Sequence, residues 1–281
     1  MTKAKYAVIG WPVKHSVSPA MQQAAFDAAG LQASYERLAV APDVLGTAVA
    51  RLREEGYAGW NVTVPHKQAI LQYVDELDPG ARRAASANTV LNRDGRLCGY
   101  STDGYGLATA ILEHFSVDIE GGRFFFCGCG GAARAATIYF AVQGARTVAI
   151  ANRTVAKAEE VAAIIQRTAP ECETLILGLH EKERIGKVLT RCQALIQATS
   201  LGLAEGDPLP LPPDIIPPDI AVMDMIYRET PFLRETASRG CRTADGRGML
   251  LHQGARSFTI WTGLPAPIEA MRRALEEALQ Q

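Results

Sequence analysis

The chain has 281 residues, enough for about two domains at roughly 150 residues apiece. With 48% apolar and 21% charged residues it reads as a folded globular protein, which excludes the disordered and collagen-like classes. Lys and Arg total 29 against 30 Asp and Glu; the net charge of -1 comes without any long basic stretch, so nucleic acid is not an expected partner.

Tyr6 to Gly10 is a short β-rich run, and a helical pattern from Pro19 to Ala29 stops at Gly30. Ser34 to Val40 reads as a strand, Asp43 to Glu55 as a helix and Trp60 to Val64 as a strand. Pro65 to Leu77 follows as a helix with proline at its first position. Thr89 to Asn92 and Arg96 to Tyr100 flank Arg93-Asp94-Gly95, a hairpin signal of the Asp-Gly kind. Beyond Gly104, a helix from Gly106 to Phe115 leads to the strand Arg123 to Cys127 and the helix Ala132 to Gln143. The strand Thr147 to Ala151 and the helix Ala156 to Arg167 come next. Ala194 to Thr199 and Ile220 to Asp224 read as buried strands, the proline-rich stretch Pro208 to Pro218 as an irregular loop, and Pro267 to Gln280 as an amphipathic helix. This alternation predicts an α/β protein with parallel sheets covered by helices.

Six scattered cysteines include no CxxC pair, so reduced thiols in a cytoplasmic protein are expected. The first apolar run is cut short by Pro12 and Lys14, which suits a strand and not a signal peptide. No apolar stretch is long enough to span a bilayer, so no membrane association is expected. No Cys/His cluster has metal-ligand spacing, so no metal is expected either.

The strand ending at Cys127 runs into Gly128-Cys129-Gly130-Gly131-Ala132-Ala133 and then a helix. The spacing departs from strict GxGxxG, with Ala133 where the third glycine would stand. The physical demand is still met. Gly128 permits a tight turn, Gly130 and Gly131 let backbone N–H groups approach a pyrophosphate, and Ala133 is small enough for close helix–strand packing. An ordinary tight turn is the bland alternative. After the next strand, where an NAD-binding fold presents Asp or Glu to the ribose, this chain has Asn152-Arg153-Thr154, with Lys157 one helical turn later. Two cations and a hydroxyl without a carboxylate suit a 2′-phosphate, which makes NADP the expected dinucleotide.

Three segments outside this region carry polar residues of interest. In His15-Ser16-Val17-Ser18-Pro19, Ser18 suits a helix N-cap, whereas Ser16 has no such duty and offers a hydroxyl to a ligand. In Asn61-Val62-Thr63-Val64-Pro65-His66-Lys67, Lys67 falls in the first turn of the expected helix, the wrong end for a cation. His66 reads as a surface residue beside it. In Ser101-Thr102-Asp103-Gly104, Asp103 follows a strand and precedes a helix, where it could serve as a cap or a functional carboxylate.

Taken together, these segments resemble the shikimate dehydrogenase family. The resemblance spans nearly the whole chain: HSVSP, NVTVPHK, SANTV, STDG, GCGGAARA, NRT, ATSLGL and ADGRGMLLHQGARSFTIWTG occur in order. It implies an N-terminal α/β substrate domain over residues 1–103, completed by 247–281, with an inserted Rossmann-type NADP-binding domain over 104–246. It implies NADPH-dependent reduction of 3-dehydroshikimate to shikimate in aromatic amino-acid biosynthesis. Lys67 and Asp103 would be the catalytic pair; Ser16, Ser18, Thr63, Asn88, Tyr227 and Gln253 would line the substrate pocket. Gly128, Gly130, Gly131, Ala132, Asn152, Arg153, Thr154, Lys157, Thr199 and Gly248 would hold the dinucleotide. The resemblance leaves monomer and homodimer both open. The chain departs from the family's common pattern at Gln22 and Gln23 (often His-Asn), Ser101 and Gln197 (both usually Asn), and Arg247 in the DGRGM segment. Paralogues acting on quinate or aminoshikimate, and a non-catalytic sensor that kept the fold, are the alternatives.

Overall fold

A computed structural model describes residues 3–280. By the density of internal contacts the chain forms two compact units, Met1–Gly106 with Leu251–Gln281, and Leu107–Leu250.

The first unit begins with β1 (Ala4–Gly10), α1 (Ser18–Ala28), β2 (Ala33–Ala39), α2 (Leu45–Glu54) and β3 (Tyr57–Val62). It continues with β4 (Glu76–Leu77), α3 (Pro79–Ala84), β5 (Thr89–Arg93) and β6 (Arg96–Tyr100), and α4 (Asp103–Phe115) carries the chain onward. The sheet order is β2-β1-β3-β5-β6-β4. β1 runs parallel to β2 and β3, while the β5–β6 hairpin is antiparallel to β3 and makes the sheet mixed. The hairpin turns on Asp94 and Gly95, whose φ values of 52° and 88° are the left-handed pair a two-residue turn demands. One face of the sheet buries Ile9, Trp60, Val62 and Val90 under α2. On Tyr6 the rings of Phe26 and Trp261 close at 4.7 and 5.1 Å.

The expected helix from Pro65 to Leu77 does not form. His66 is buried with Nε2 2.7 Å from the Val40 carbonyl, so it is a core residue and not a surface one. A 3-10 turn covers Ala69–Tyr73, and the Asp75 and Asp78 amides then donate to Leu97 and Gly99 of β6. The backbone finds its hydrogen bonds on a neighbouring strand, where β4 pairs in parallel with Cys98 and Gly99. α3 was not anticipated although its start is marked: Asp78 caps it, accepting from Ala81 N at 2.8 Å and Gly80 N at 3.1 Å.

The second unit holds β7 (Arg123–Cys127), α5 (Gly131–Val142), β8 (Thr147–Asn152), α6 (Val155–Thr168), β9 (Glu173–Gly178) and α7 (Lys182–Leu189). β10 (Ala194–Gln197), β11 (Ala221–Asp224), α8 (Pro231–Ser238) and β12 (Arg242–Ala244) follow. α9 (Arg247–Thr262) returns the chain to the first unit, where α10 (Ile268–Leu279) ends it. β9, α7, α8, β12 and α9 were not anticipated. The sheet is wholly parallel in the order β12-β11-β10-β7-β8-β9, which is the Rossmann order counted from its other edge. Burial on both faces explains the unbroken apolar run of β7. Phe124 and Phe126 meet Phe140 edge-on at 4.9 and 5.3 Å, while Phe125 joins the opposite layer. No described helix is long and apolar enough to cross a membrane.

Candidate active site

In the first unit the functional segments sit where strand ends converge. The loop after β1 carries Ser16 and leads into Ser18 at the start of α1, and the loop after β3 carries Thr63 and Lys67. These strands are parallel neighbours, and Trp11 N donates to the Val64 carbonyl at 2.9 Å to tie the two loops. Because β5 is antiparallel to β3, its first residues lie beside the end of β3: Val62 N donates to Asn88 O, and Asn88 N to Tyr100 O. The segment Ser101–Asp103 therefore emerges at the same end of the sheet.

Lys67 Nζ lies 2.6 Å from Asp103 Oδ2, with side chains only 15% and 5% exposed. The other carboxylate oxygen accepts from Asn88 Nδ2 at 3.0 Å. Asn88 also contacts Thr102 Oγ1 at 2.8 Å and Gln253 Oε1 at 3.2 Å, and its own Oδ1 accepts from Thr102 N at 2.8 Å. Lys67, Asp103, Asn88 and Gln253 thus form one cluster. Thr102, a member of that cluster, was not singled out by the sequence, although a buried polar residue flanking a candidate carboxylate is a usable signal. Lys67 is held by a turn and not by the first turn of a helix, so its placement owes nothing to a helix dipole.

Two serine roles are exchanged relative to expectation. α1 begins at Ser18 itself, and Val17 occupies the cap position without a side-chain bond. Ser16 Oγ accepts the Ser18 amide at 3.3 Å, so the local duty falls to Ser16. Arg37 Nε also donates to the Ser16 carbonyl at 2.6 Å. Thr63 is half-buried, and its amide donates to Ile9 O at 2.9 Å.

In the second unit the turn after β7 is tight and depends on glycine. Gly128 takes φ 106°, and a Cβ there would stand 2.8 Å from the Ala198 carbonyl and the Thr199 methyl, so only glycine fits. Around Gly130 and Gly131 a Cβ would meet nothing within 4 Å. α5 starts at Gly131 with no side-chain cap, which leaves its leading N–H groups for an anion; Ala132 stands half-buried in that first turn. This turn lies at the switch point of the sheet, between β7 and β10. Burial pushes the Cys127 thiol up to about 12, so it stays protonated behind the turn.

Beyond β8, Asn152 Nδ2 donates to Thr154 O at 2.8 Å and shapes the following turn. Arg153, Thr154 and Lys157 are exposed, and neither cation enters an ion pair among the described residues. An uncapped helix start carrying two free cations fits a phosphate better than a neutral ribose. Thr199 Oγ1 accepts from Leu201 N at 3.1 Å. Gly248 is buried in the first turn of α9, where a Cβ would press on Ala110 and His114 at 3.1 and 3.0 Å. Tyr227 lies in the turn after β11, its side chain exposed.

Four of the five departures have clear partners. Gln22 is fully buried and donates to Gly254 O at 2.9 Å, and Gln23 donates to Asp27 Oδ1 at 2.8 Å. Gln197 clamps its loop by accepting from Thr199 N at 2.7 Å and donating to Leu201 O at 2.9 Å. Arg247 Nε lies 2.8 Å from Asp245. Ser101 is half-buried.

Comparison with known proteins decides the family. Models described as the shikimate dehydrogenase substrate binding domain and the shikimate 5'-dehydrogenase C-terminal domain match residues 8–90 and 246–276. The shikimate dehydrogenase (NADP(+)) of Desulforamulus reducens is 40% identical over 275 residues, covering 96% of this chain and 94% of its own. The chain belongs to the shikimate dehydrogenase family. Its structure is similar to a shikimate 5-dehydrogenase from Listeria monocytogenes in complex with shikimate and NAD (TM-score 0.90, 34% identity, covering 97% of this chain and 96% of that one). It is also similar to the Thermus thermophilus shikimate 5-dehydrogenase in complex with NADP(H) and shikimate (TM-score 0.85, 33% identity, 98% and 99% covered).

The turn that carries Tyr227 hangs on a buried carboxylate, Asp224. Asp224 Oδ1 accepts from Ile226 N at 3.0 Å and Oδ2 from Thr230 Oγ1 at 2.8 Å. Burial raises its pKa from 3.8 to about 6, with those two hydrogen bonds opposing the rise and Asp245 adding to it. Between the unfolded and folded values the native state holds the extra proton. Asp224 therefore favours folding on the acid side, and this contribution is lost as pH rises through about 6. Asp224→Asn should raise the melting temperature relative to wild type at about pH 8, and the gain should shrink at about pH 5. Thermal melts of both proteins at the two pH values provide the check.

Proposed function

We propose that this chain interconverts 3-dehydroshikimate and shikimate with NADP(H), within aromatic amino-acid biosynthesis. The observation that carries the reading is the 2.6 Å contact between Lys67 and Asp103 at the converging strand ends of a chain that belongs to this family. In the proposal the first unit binds the substrate and the second the dinucleotide. When bound, the nicotinamide supplies or receives the hydride.

The remaining work falls to side chains of this protein. Lys67 Nζ holds the proton at the ketone oxygen, polarises the carbonyl and stabilises the developing alkoxide. Asp103 orients that ammonium, and with Asn88 receives ring hydroxyls. Ser16 and Ser18 hold the substrate carboxylate, Thr63 and Gln253 complete the pocket of the first unit, and the family resemblance assigns Tyr227 to the substrate as well. The second unit contributes Gly128, Gly130, Gly131 and Ala132 to the pyrophosphate, Asn152, Arg153, Thr154 and Lys157 to the 2′-phosphate, and Thr199 and Gly248 nearer the nicotinamide. The compartment proposed is the cytoplasm, a reducing setting that the free cysteines suit, with monomer and homodimer as the alternatives for its assembly.

Following NADPH absorbance with shikimate and quinate, each with NAD+ and NADP+, tests the reading. Shikimate with NADP+ should give the highest kcat/KM. Quinate carries an extra tertiary hydroxyl beside its carboxylate. Leaving that group unpaired costs about 1–3 kcal/mol, or roughly 5- to 150-fold. Comparable values for both acids would move the protein to a dual-specificity branch, and binding without turnover would make it a sensor.

A further inference from the structure

Behind the Lys67–Asp103 pair runs a chain of buried polar side chains that reaches Asn88 and whose other members the proposed reaction does not use. Tyr35 of β2 donates its hydroxyl to Asn61 Oδ1 at 2.7 Å. Asn61 Nδ2, on β3, faces Ser257 Oγ at 3.0 Å and Thr89 Oγ1 at 3.1 Å. Those two hydroxyls lie 2.8 Å apart, and Thr89 Oγ1 stands 3.4 Å from Asn88 Oδ1. Ser257 Oγ also lies 3.0 Å from the Gln253 carbonyl, on the helix whose Gln253 side chain meets Asn88, so its single hydroxyl proton is shared between that oxygen and Thr89 Oγ1, and Thr89 keeps its own for Asn88. Asn88 Nδ2 then reaches Asp103.

Every member is buried; Thr89 and Ser257 are wholly inaccessible to solvent. The chain also has a direction. Tyr35 stands at one end as a donor, the pKa of its hydroxyl pushed well above its ordinary value by burial, and the Asp103 carboxylate accepts at the other. Donors aligned head to tail toward a carboxylate polarise one another. Strands β2, β3 and β5 and helix α9 each contribute a member, so the orientation of Asn88 is fixed from several elements at once. An apolar filling would hold these strands together equally well without aiming Asn88.

We propose that Tyr35 and Ser257 are positioning residues that act through Asn61, Thr89 and Asn88 to hold the Asp103 carboxylate in register with Lys67. The inference rests on the reading of Lys67 and Asp103 as the catalytic pair.

The test is a set of double-mutant cycles on the whole enzyme. Tyr35→Phe and Ser257→Ala are each made alone, with Asp103→Asn, and with Ser16→Ala, and kcat, the KM for shikimate and the melting temperature are measured. Each single variant should lower kcat roughly 2- to 12-fold, the worth of one hydrogen bond. In the Asp103→Asn background that loss should fall below about twofold, whereas with Ser16→Ala the two losses should multiply. The melting temperatures, measured beside kcat, show how far each lost buried hydrogen bond costs stability and that each variant assayed is folded. Equal kcat losses with and without Asp103, or unchanged kcat in both single variants, would overturn the proposal. If Tyr35→Phe fails to fold, Ser257→Ala carries the same expectations. Wild-type protein that does not oxidise shikimate would remove the underlying reading and the proposal with it, a result distinct from active wild type with uncoupled variants.

Discussion

Lys67→Ala should lower turnover by roughly 10²–10⁴-fold, the range for removing a general acid–base group, while NADP affinity stays nearly unchanged. The first half follows from geometry. Lys67 Nζ is bound to a carboxylate that is itself fixed by Asn88, so the amine is aimed. The second half follows from where the cations lie, since Arg153 and Lys157 belong to a different unit from Lys67. Asp103→Asn should impair turnover too, because the amide cannot hold the ammonium as the carboxylate does. The double variant should lose less than the product of the two singles, as expected of groups acting as one. Steady-state kinetics with a fluorescence titration of NADPH separates the two quantities. Near-wild-type turnover in Lys67→Ala would show that another group carries the proton.

The parts legible in the sequence are those whose cause is local. The turn at Gly128 needs a strand before it, a helix after it and small residues between, all within a dozen positions, and it stands where expected. The Asp94-Gly95 hairpin is legible for the same reason, since the two residues that must adopt positive φ are themselves the signal. Pro65 to Leu77 failed because its backbone partners lie on β6, some twenty positions on, and tertiary pairing overrode a proline-led helical pattern. Helix α9 escaped notice because Gly248 and Gly254 break its pattern. Both are explained by close neighbours: Ala110 and His114 crowd the first, and a Cβ on the second would collide with Met21.

The site was legible in its residue types and not in its connections. Lys67 and Asp103 are 36 positions apart, and Asn61 and Ser257 are 196 apart. Spacing along the chain carries no information about such contacts, so Thr102, Thr89, Ser257 and Tyr35 stayed hidden. A hint was available in the strand ending Trp60-Asn61-Val62: a polar residue in a run buried on both sides needs partners, and Asn61 has them. The same reasoning applies to Asp224 at the end of β11. His66 illustrates the reverse, since adjacency to a candidate lysine says nothing about exposure.

Arg153→Ala should weaken NADP roughly 10- to 150-fold and NAD far less, because each charge-assisted hydrogen bond to a phosphate is worth about 1.5–3 kcal/mol. Arg153 directly follows β8, whose residues Thr147–Asn152 run beside β7, so it projects from the strand next to the phosphate turn. Its neighbourhood is prepared for an anion. Asn152 fixes the turn by donating to Thr154 O, α6 begins without a side-chain cap, and Lys157 adds a second cation in the first turn. In the absence of a phosphate these cations oppose the helix dipole and repel one another, an arrangement that a 2′-phosphate relieves and a bare ribose does not. Arg153→Lys should fall between wild type and alanine, since it keeps the charge and loses the planar fork. Adding Lys157→Ala should narrow the preference further, and raising the salt concentration should erode NADP binding in wild type more than in the double variant. Isothermal titration of all four proteins with NADP+ and NAD+ measures each effect. Equal weakening of both dinucleotides by Arg153→Ala would mean that the guanidinium meets the shared adenosine, and that the discrimination between them is made elsewhere.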